Sequence, residues 1–339
     1  MSDTPQSPLI SVIVLTYNQE ATIARTIESI VNQRCEYPYE IIIADDCSTD
    51  ATSNICSHYA EKYPTLIRFV KNKKNKGLID NYYDSLLSAK GKYIADCAGD
   101  DYWVDTLKLQ KQTQILEKYP DVSLVHAGWN YIDSCTQQKI DRKSHSGKLN
   151  YRQPFLNGRT LMIPYITAEE SPVPIVHIST ALFRKDIFIR EYQNNPDIFR
   201  NKDYKCEDVQ IITTMMANGT IAFIPDIVLN YTVGHSSISS AENLIKAFDF
   251  YFGTLSLRLR LIDMYDLSEA LQTPHFKEII YYVLSLAFRS GSSERMHKII
   301  STIKENHIKM PIKKHMYKWL STNKALWNTT LHLLKVIKR

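Results

Sequence analysis

Lys92-Tyr93-Ile94-Ala95-Asp96-Cys97-Ala98-Gly99-Asp100-Asp101-Tyr102-Trp103 is the stretch that decides how this chain is read. Its apolar start predicts a strand. A glycine then turns the chain, so that two adjacent carboxylates stand just beyond the strand's carboxyl end. In an open α/β sheet, ligands bind in the crevice outside those ends. Paired carboxylates there suit a divalent cation that holds phosphate oxygens, because hard cations take oxygen ligands. Asp45-Asp46 repeats the arrangement after the apolar run Glu40-Ile41-Ile42-Ile43-Ala44.

Upstream, Leu9 to Leu15 is too apolar for a half-exposed strand and predicts one covered on both faces of a mostly parallel sheet. Ile23, Ile27, Ile30 and Val31 follow at helical spacing. Ser48-Thr49-Asp50 is expected to cap a helix through Ile55, Tyr59 and Ala60. Leu66 to Val70 predicts a strand, the lysine-rich stretch Lys71 to Gly77 a turn, and Leu78 to Ala89 a helix. Thr106 to Tyr119 is helical and Val122 to His126 a strand. Strand and helix alternating over this length predict a doubly wound sheet flanked by helices. The pattern loosens after Asn130, and 133–160 reads as a long polar loop or a small excursion from the fold. Cys206-Glu207-Asp208 opens a helix over Val209 to Ala217, and two short strands are expected at Ile221 to Ile224 and Ile227 to Tyr231. Leu244, Ala247, Phe248, Tyr251, Leu255 and Leu259 have helical spacing, as do Phe276, Ile279, Ile280 and Val283. The chain thus divides into an α/β region, 1–239, and a helical C-terminal extension, 240–339.

With 339 residues and 44% of them hydrophobic, the chain can bury a large core. The start lacks the pattern of a signal peptide, and no apolar stretch is long enough to cross a bilayer, so a cytoplasmic protein is expected. Cys35, Cys47, Cys56, Cys97, Cys135 and Cys206 have no metal-ligand spacing and are expected as reduced thiols. The net charge of +5 is uneven: Glu294 to Arg339 carries 11 Lys or Arg against 2 Glu, on an otherwise mildly acidic chain. That segment, with Trp319, Trp327 and several leucines, is compatible with an interfacial helix resting on anionic lipid and equally with an ordinary packed helix.

The ordered motifs resemble the family 2 glycosyltransferases, the large inverting group with the GT-A nucleotide-diphospho-sugar transferase fold. The resemblance runs through Ser11 to Asn18, Ile27 to Ile30, Asn32-Gln33, Glu40 to Asp46, Ser48 to Asp50, Asn75, Gly77, Asn81, Ala89 to Tyr93 and Gly99 to Asp101, and more loosely through Glu207-Asp208 and Tyr231 to Ser239. It covers about 9–239.

The resemblance implies transfer of a sugar from a nucleotide-sugar, UDP-sugar above others, to a hydroxyl of a saccharide acceptor. By the same likeness, Thr16, Tyr17 and Asn18 lie in the loop that receives the nucleotide. Asp45 accepts from the base N–H, and Asp46 contacts the ribose or caps the next helix. Lys76 meets the diphosphate. Asp101 or Asp100 ligates Mn²⁺ or Mg²⁺ with the other facing the ribose, and His235 is a third ligand or a diphosphate donor. The family's first acidic position is Ala98 here, a departure from the full metal motif. Asp208 matches the general base, stabilised as a carboxylate at a helix N-terminus. Glu207 orients an acceptor hydroxyl, and Trp103 stacks on the sugar or anchors its loop. Analogy to bacterial capsule and O-antigen enzymes implies a lipid-linked acceptor, with peripheral contact at the inner face of the cell membrane through the basic C-terminal region. That region is alternatively a homodimer contact. No nucleic-acid partner is expected. The other reading is an inactive family member serving as a polyanion- or membrane-binding module.

Overall fold

The computed structural model describes residues 7–140, 154–168, 176–234 and 243–309. His235 and the stretch Met316 to Ile337 lie outside the described residues, so the roles expected of them have no structural counterpart below. In chain order the elements are β1 (Ile10–Thr16), α1 (Ile23–Val31), β2 (Tyr39–Asp45), α2 (Thr52–Lys62), β3 (Ile67–Lys71), α3 (Leu78–Ser88), β4 (Tyr93–Asp96), β5 (Tyr102–Trp103), α4 (Lys108–Lys118), β6 (Val122–Asp133), β7 (Lys139–Ile140), β8 (Phe155–Asn157) and α5 (Gly158–Ile166). Then come β9 (Leu182–Arg184), α6 (Lys185–Asn194), α7 (Pro196–Arg200), α8 (Asp208–Asn218), β10 (Thr220–Val233), α9 (Leu244–Met264), α10 (Pro274–Arg289) and α11 (Ser293–Glu305).

The strands form one sheet in the order β3-β2-β1-β4-β9-β6-β10-β5, with β7 on β6 and β8 on β10. The expected parallel core is present: β1 pairs in parallel with β2 and β4, β2 with β3, and β6 with β10. The sheet as a whole is mixed, because the short strand β9 runs antiparallel between β4 and β6. Consecutive residues of β1 and β2 are buried, as a strand covered on both faces requires. Val12, Val14, Ile41 and Ile43 pack with Ile23, Ile27 and Ile30 of α1 in one cluster. The opposite face of β1 and β2 is covered by α3, with Tyr82, Tyr83 and Leu86 buried. The register then lines up the carboxyl ends, Thr16 beside Asp45 and Asp45 beside Lys71.

Three local expectations change. The two short strands expected after α8 are one strand, β10, which continues past Pro225 with register irregularities between Ile224 and Leu229. The region 133–160 contributes β7 and β8 to the sheet. The α2 N-cap is Ala51, without a side-chain cap bond; Asp50 Oδ1 instead accepts from the Thr52 N–H at 3.0 Å, two residues on.

The chain divides into two compact units: Met1–Met162, Glu170–Lys202 and Cys206–Gly234 in one, and Ile163–Glu169, Asp203–Lys205 and His235–Arg339 in the other. In the second unit, α9, α10 and α11 bury Phe248, Leu255, Phe276, Ile280, Val283 and Ile299. Asn243, Thr273 and Ser292 cap these helices with side-chain oxygens, and Pro274 occupies the first turn of α10, where a missing N–H is harmless. Among the described residues no helix is long and apolar enough to cross a membrane.

At the far end of the sheet from the paired acids, Gly91 lies against the start of β1. Its N–H donates to Ser11 Oγ at 2.8 Å, and Ser11 Oγ donates to Glu40 Oε1 at 2.6 Å. A Cβ at Gly91 would sit 2.4 Å from the Ser11 nitrogen and 2.6 Å from the Ile10 carbonyl carbon, atoms that cannot yield without moving β1. Gly91→Ala is therefore expected to destabilise the fold by about 3 kcal/mol, the upper range for overpacking, measured by urea unfolding.

Candidate active site

The loop after β1 and the turn after β2 are laced together by side chains. The Asn18 N–H donates to Ser48 Oγ (2.9 Å), and Asn18 Oδ1 accepts from the Thr49 N–H (2.8 Å). The Gln19 N–H reaches Thr52 Oγ1 at 2.8 Å, and Glu20 Oε2 accepts from the Ala51 N–H at 2.8 Å. Asn18 and Cys47 both take left-handed backbone conformations to make these turns. Thr16 is buried at the strand end, whereas Tyr17 is 48% exposed and presents its ring to solvent.

Asp45 and Asp46 are both buried, and both serve these loops. Asp45 accepts from the N–H and hydroxyl of Ser48 and from the Ser53 hydroxyl. Asp46 Oδ1 accepts from Asn72 Nδ2 (2.9 Å) and the Lys76 N–H (2.8 Å), and its Oδ2 from the Gly77 N–H (2.8 Å). Asp46 thus fastens the loop between β3 and α3 and does not cap α2. Asp45, the expected acceptor from a base N–H, has its oxygens committed to the turn it shapes. The Lys76 ammonium, expected at a diphosphate, is paired with Asp84 at 3.0 Å.

The acidic corner at 99–106 is held by α1. Thr22 Oγ1 donates to the Gly99 carbonyl at 2.8 Å. Thr26 Oγ1 donates to the Asp101 carbonyl at 2.6 Å and lies 3.0 Å from that of Gly99. Ser29 Oγ accepts from the Trp103 N–H (3.1 Å), and Gln33 Nε2 donates to the Asp105 carbonyl (2.9 Å). Gly99 is closely surrounded: a Cβ would lie 2.3 Å from Gln19 Oε1, which would have to swing away, and 3.0 Å from the Leu15 carbonyl oxygen. Asp101 is fully buried; its Oδ1 accepts from the Thr232 N–H at 2.8 Å, and its buried Oδ2 has no hydrogen-bond partner among the described residues. Burial first, and then the neighbouring Asp100 charge, push the Asp101 carboxyl well above the usual range. Asp100 is less enclosed and is raised mainly by burial. An orphaned buried carboxylate oxygen beside a second, reachable carboxylate fits a hard divalent cation. Among the described residues no group of three or more His, Cys, Asp or Glu is arranged to hold a metal.

Trp103 does not face a ligand. It is 4% exposed, its Nε1 donates to the Ser179 carbonyl at 3.1 Å, and the Lys108 ammonium lies 4.2 Å from its ring centroid. Of the two roles open to it, the loop anchor is the one the structure gives. Burial lowers Lys108 to about 7, and its Nζ donates to Gln112 Oε1 (2.9 Å) and the Ala181 carbonyl (3.2 Å). The sequence reading gave no role to α1's polar stripe, to Lys108 or to the aromatic group around Tyr231. In that group the Tyr231 ring lies 4.7 Å from His177 and 5.7 Å from Tyr131, centroid to centroid, and His177 lies 5.4 Å from Trp129. The signal for the stripe was present as polar residues at i, i+4, i+7 and i+11 from Thr22.

Glu207 is the N-cap residue of α8 and Asp208 its first residue. The Tyr83 hydroxyl holds the Glu207 carbonyl at 2.8 Å. Burial, then the charges of Asp208 and Asp96, push the Glu207 carboxyl well above its ordinary value. Tyr231 is raised to about 12 by burial and by the charges of Asp101, Asp100 and Asp208, so its hydroxyl stands in the field of both acidic groups. The Cys97 thiol is pushed well up by burial and is no nucleophile.

Asp96, at the end of β4, is raised from 3.8 to about 6, chiefly by burial and then by Asp208, against the hydroxyls of Tyr82 and Ser179. Between those values the folded protein holds a proton that the unfolded chain releases. Asp96 therefore favours folding at the acid end, and that contribution is lost as pH rises through about 6. Asp96→Asn is expected to flatten this slope. Urea unfolding should find the variant more stable than the parent by about 2–3 kcal/mol near neutral pH, with the two converging toward about pH 4.

The profile of glycosyl transferase family 2 matches residues 11–190, about half the chain. Escherichia coli WfaP, a UDP-Glc:alpha-D-GlcNAc-diphosphoundecaprenol beta-1,3-glucosyltransferase, is 39% identical over 109 residues, 32% of this chain and 41% of WfaP. The chain spans about a third of the length of the mycobacterial relatives that it matches at 44% identity. Staphylococcus aureus TarS 1–349 in complex with UDP-GlcNAc superposes with a TM-score of 0.56 at 19% identity, covering 88% of each chain. The mannosyltransferase PcManGT of Pyrobaculum calidifontis, in complex with GDP-Man and Mn²⁺, gives 0.53 at 18% identity, covering 96% of this chain and 86% of that one. The likeness to these solved structures establishes a GT-A-like α/β fold with a mixed sheet, and by the family profile the chain belongs to glycosyl transferase family 2.

Proposed function

We propose that the protein transfers a sugar from a nucleotide-sugar, a UDP-sugar foremost, to a hydroxyl of a lipid-linked saccharide, with inversion at the anomeric carbon. The observation that carries this reading is the acidic corner itself, where the fully buried Asp101, with an Oδ2 that has no hydrogen-bond partner among the described residues, stands beside the less enclosed Asp100. The charges of both, and of Asp208, are felt at the buried Tyr231 hydroxyl, which supports a donor diphosphate at the first pair and an acceptor hydroxyl at Asp208 within one site. UDP-GlcNAc bound by TarS and the activity named for WfaP support the donor and acceptor classes. Exposed Tyr17 offers its ring to the base, beside Thr16 and Asn18. Asp45 and Asp46 shape the loops around it.

In this reaction the Asp208 carboxylate takes the proton of the acceptor hydroxyl as its oxygen bonds to the anomeric carbon. The bond from that carbon to the diphosphate breaks, and its electron pair leaves with the nucleoside diphosphate. Asp208 suits the role because Glu207 beside it is driven toward its neutral form, which leaves negative charge to Asp208. Neutral Glu207 can then donate to an acceptor oxygen. Asp100, backed by the buried Oδ2 of Asp101, would hold Mn²⁺ or Mg²⁺, with His235 as a further ligand. Such an ion, when bound, supplies positive charge to the departing diphosphate. Contact with the inner face of the membrane through the basic C-terminal stretch, and pairing of two copies there, belong to the same reading.

The test is nucleotide release and sugar transfer from UDP-, GDP- and dTDP-sugars, with Mn²⁺, Mg²⁺ or EDTA. Asp208→Asn is expected to keep donor binding and to lose transfer by about 10²–10⁴-fold, the usual contribution of a positioned base. Asp100→Ala should abolish the response to metal. Undiminished transfer by Asp208→Asn would remove Asp208 from the chemistry. Absence of both binding and release with every donor would favour an inactive, binding-only protein.

A further inference from the structure

Arg25 projects from α1 toward the acidic corner. Its guanidinium carbon lies 4.0 Å from the centroid of the Tyr102 ring, and the Tyr102 hydroxyl is fixed in turn by Asn230 Nδ2 at 2.7 Å. Nη1 donates to Gln137 Oε1 at 2.6 Å, and Nη2 lies 3.4 Å from the Asp100 carbonyl oxygen, which also accepts from Thr232 Oγ1 at 2.7 Å. Nε is buried and has no hydrogen-bond partner among the described residues. Among the described residues no carboxylate comes within 4.0 Å of this side chain. A half-buried charge without an ion-pair partner carries a desolvation cost that interaction with other nearby charges can offset. Its contact with the Asp100 carbonyl sets the guanidinium at the corner that carries Asp100 and Asp101, where a positive field favours the charged form of neighbouring carboxylates.

We propose that Arg25 is a positioning residue that serves as a fixed counter-charge for the acidic corner. It relieves the repulsion between the two carboxylates before a cation arrives, and it holds the corner's affinity for a divalent cation down. The inference rests on the reading of Asp100 and Asp101 as cation ligands. A cation entering the corner must approach a guanidinium already tuned to the same two charges. Moderate affinity lets the ion exchange as the nucleoside diphosphate leaves.

The experiment is a titration of the full-length protein with Mn²⁺ alone, following free Mn²⁺ by electron paramagnetic resonance, with the melting temperature of each variant recorded beside it. Arg25→Gln and Arg25→Met, the latter keeping an aliphatic stack on Tyr102, are expected to bind Mn²⁺ about tenfold more tightly at low salt, as loss of one nearby positive charge implies. The difference should shrink as salt is raised. Arg25→Lys keeps the charge but not the planar stack, so it should match the parent in Mn²⁺ affinity while melting earlier. Gln137→Ala, which frees the loop contact and leaves the charge, should also match the parent. If folded Arg25→Gln and Arg25→Met bind Mn²⁺ no more tightly than the parent, the counter-charge role is overturned and Arg25 only anchors the loop. If the parent itself binds no Mn²⁺, the corner is not a cation site. That outcome overturns the proposal together with the reading it rests on, and the parent titration alone identifies it.

Discussion

The Thr26 hydroxyl, donating to the Asp101 carbonyl from the middle of α1, is the contact on which the rest of the site depends. Two acids cannot be set side by side at a strand end without backbone that is itself held, since loop atoms left to solvent would let the carboxylates separate and hydrate. Thr22, Thr26, Ser29 and Gln33 supply that hold along one edge of the helix. Each bond contributes about 1 kcal/mol on its own. Together they join the loop to a helix whose other edge, Ile23, Ile27 and Ile30, is buried in the main core. Core packing and site geometry are therefore set by the same short helix and the residues that flank it.

That arrangement explains why so many titratable groups here are displaced in one direction. Asp96, Asp100, Asp101 and Glu207 are all raised, with burial as the first cause in each case. The sheet ends and α8 exclude water from a space that holds more carboxylates than it can charge at once. The proton that burial and neighbouring charge favour on Glu207 leaves the negative charge to the carboxylates around it. The site is unfavourable to the fold by itself, and its charge becomes useful only with ligands present.

Much of the framework was legible in the sequence, for a physical reason. Apolar runs such as Ile10–Leu15 and Ile41–Ala44 have few ways to be buried other than as central strands, and the isoleucines of α1 repeat at one helical period. Asp100-Asp101 stood out because paired acids just beyond an apolar strand are unusual, whereas Glu207-Asp208 was singled out only through the family resemblance. What escaped depends on partners distant in sequence. The burial of Trp103 is decided by Ser179 and Lys108, and the engagement of Asp46 by Asn72 and Lys76. Lys76 itself is drawn to Asp84. The continuity of β10 through Pro225 is set by its long parallel pairing with β6, which tolerates irregularity where a local reading sees an interruption.

The same reasoning bears on Ala98, where the family's first acidic residue is missing. A third carboxylate at that position would add one more charge to a corner already raised by burial and by mutual repulsion, with Arg25 as the cation whose field reaches both remaining acids. With alanine there, one guanidinium faces two carboxylates, and the corner keeps a single net negative charge if both ionise. A corner balanced this way can remain dry and folded without an ion, yet still gain from a doubly charged one. The alanine then reads as part of a charge balance that α1 completes, because the helix that holds the loop in place also carries the arginine.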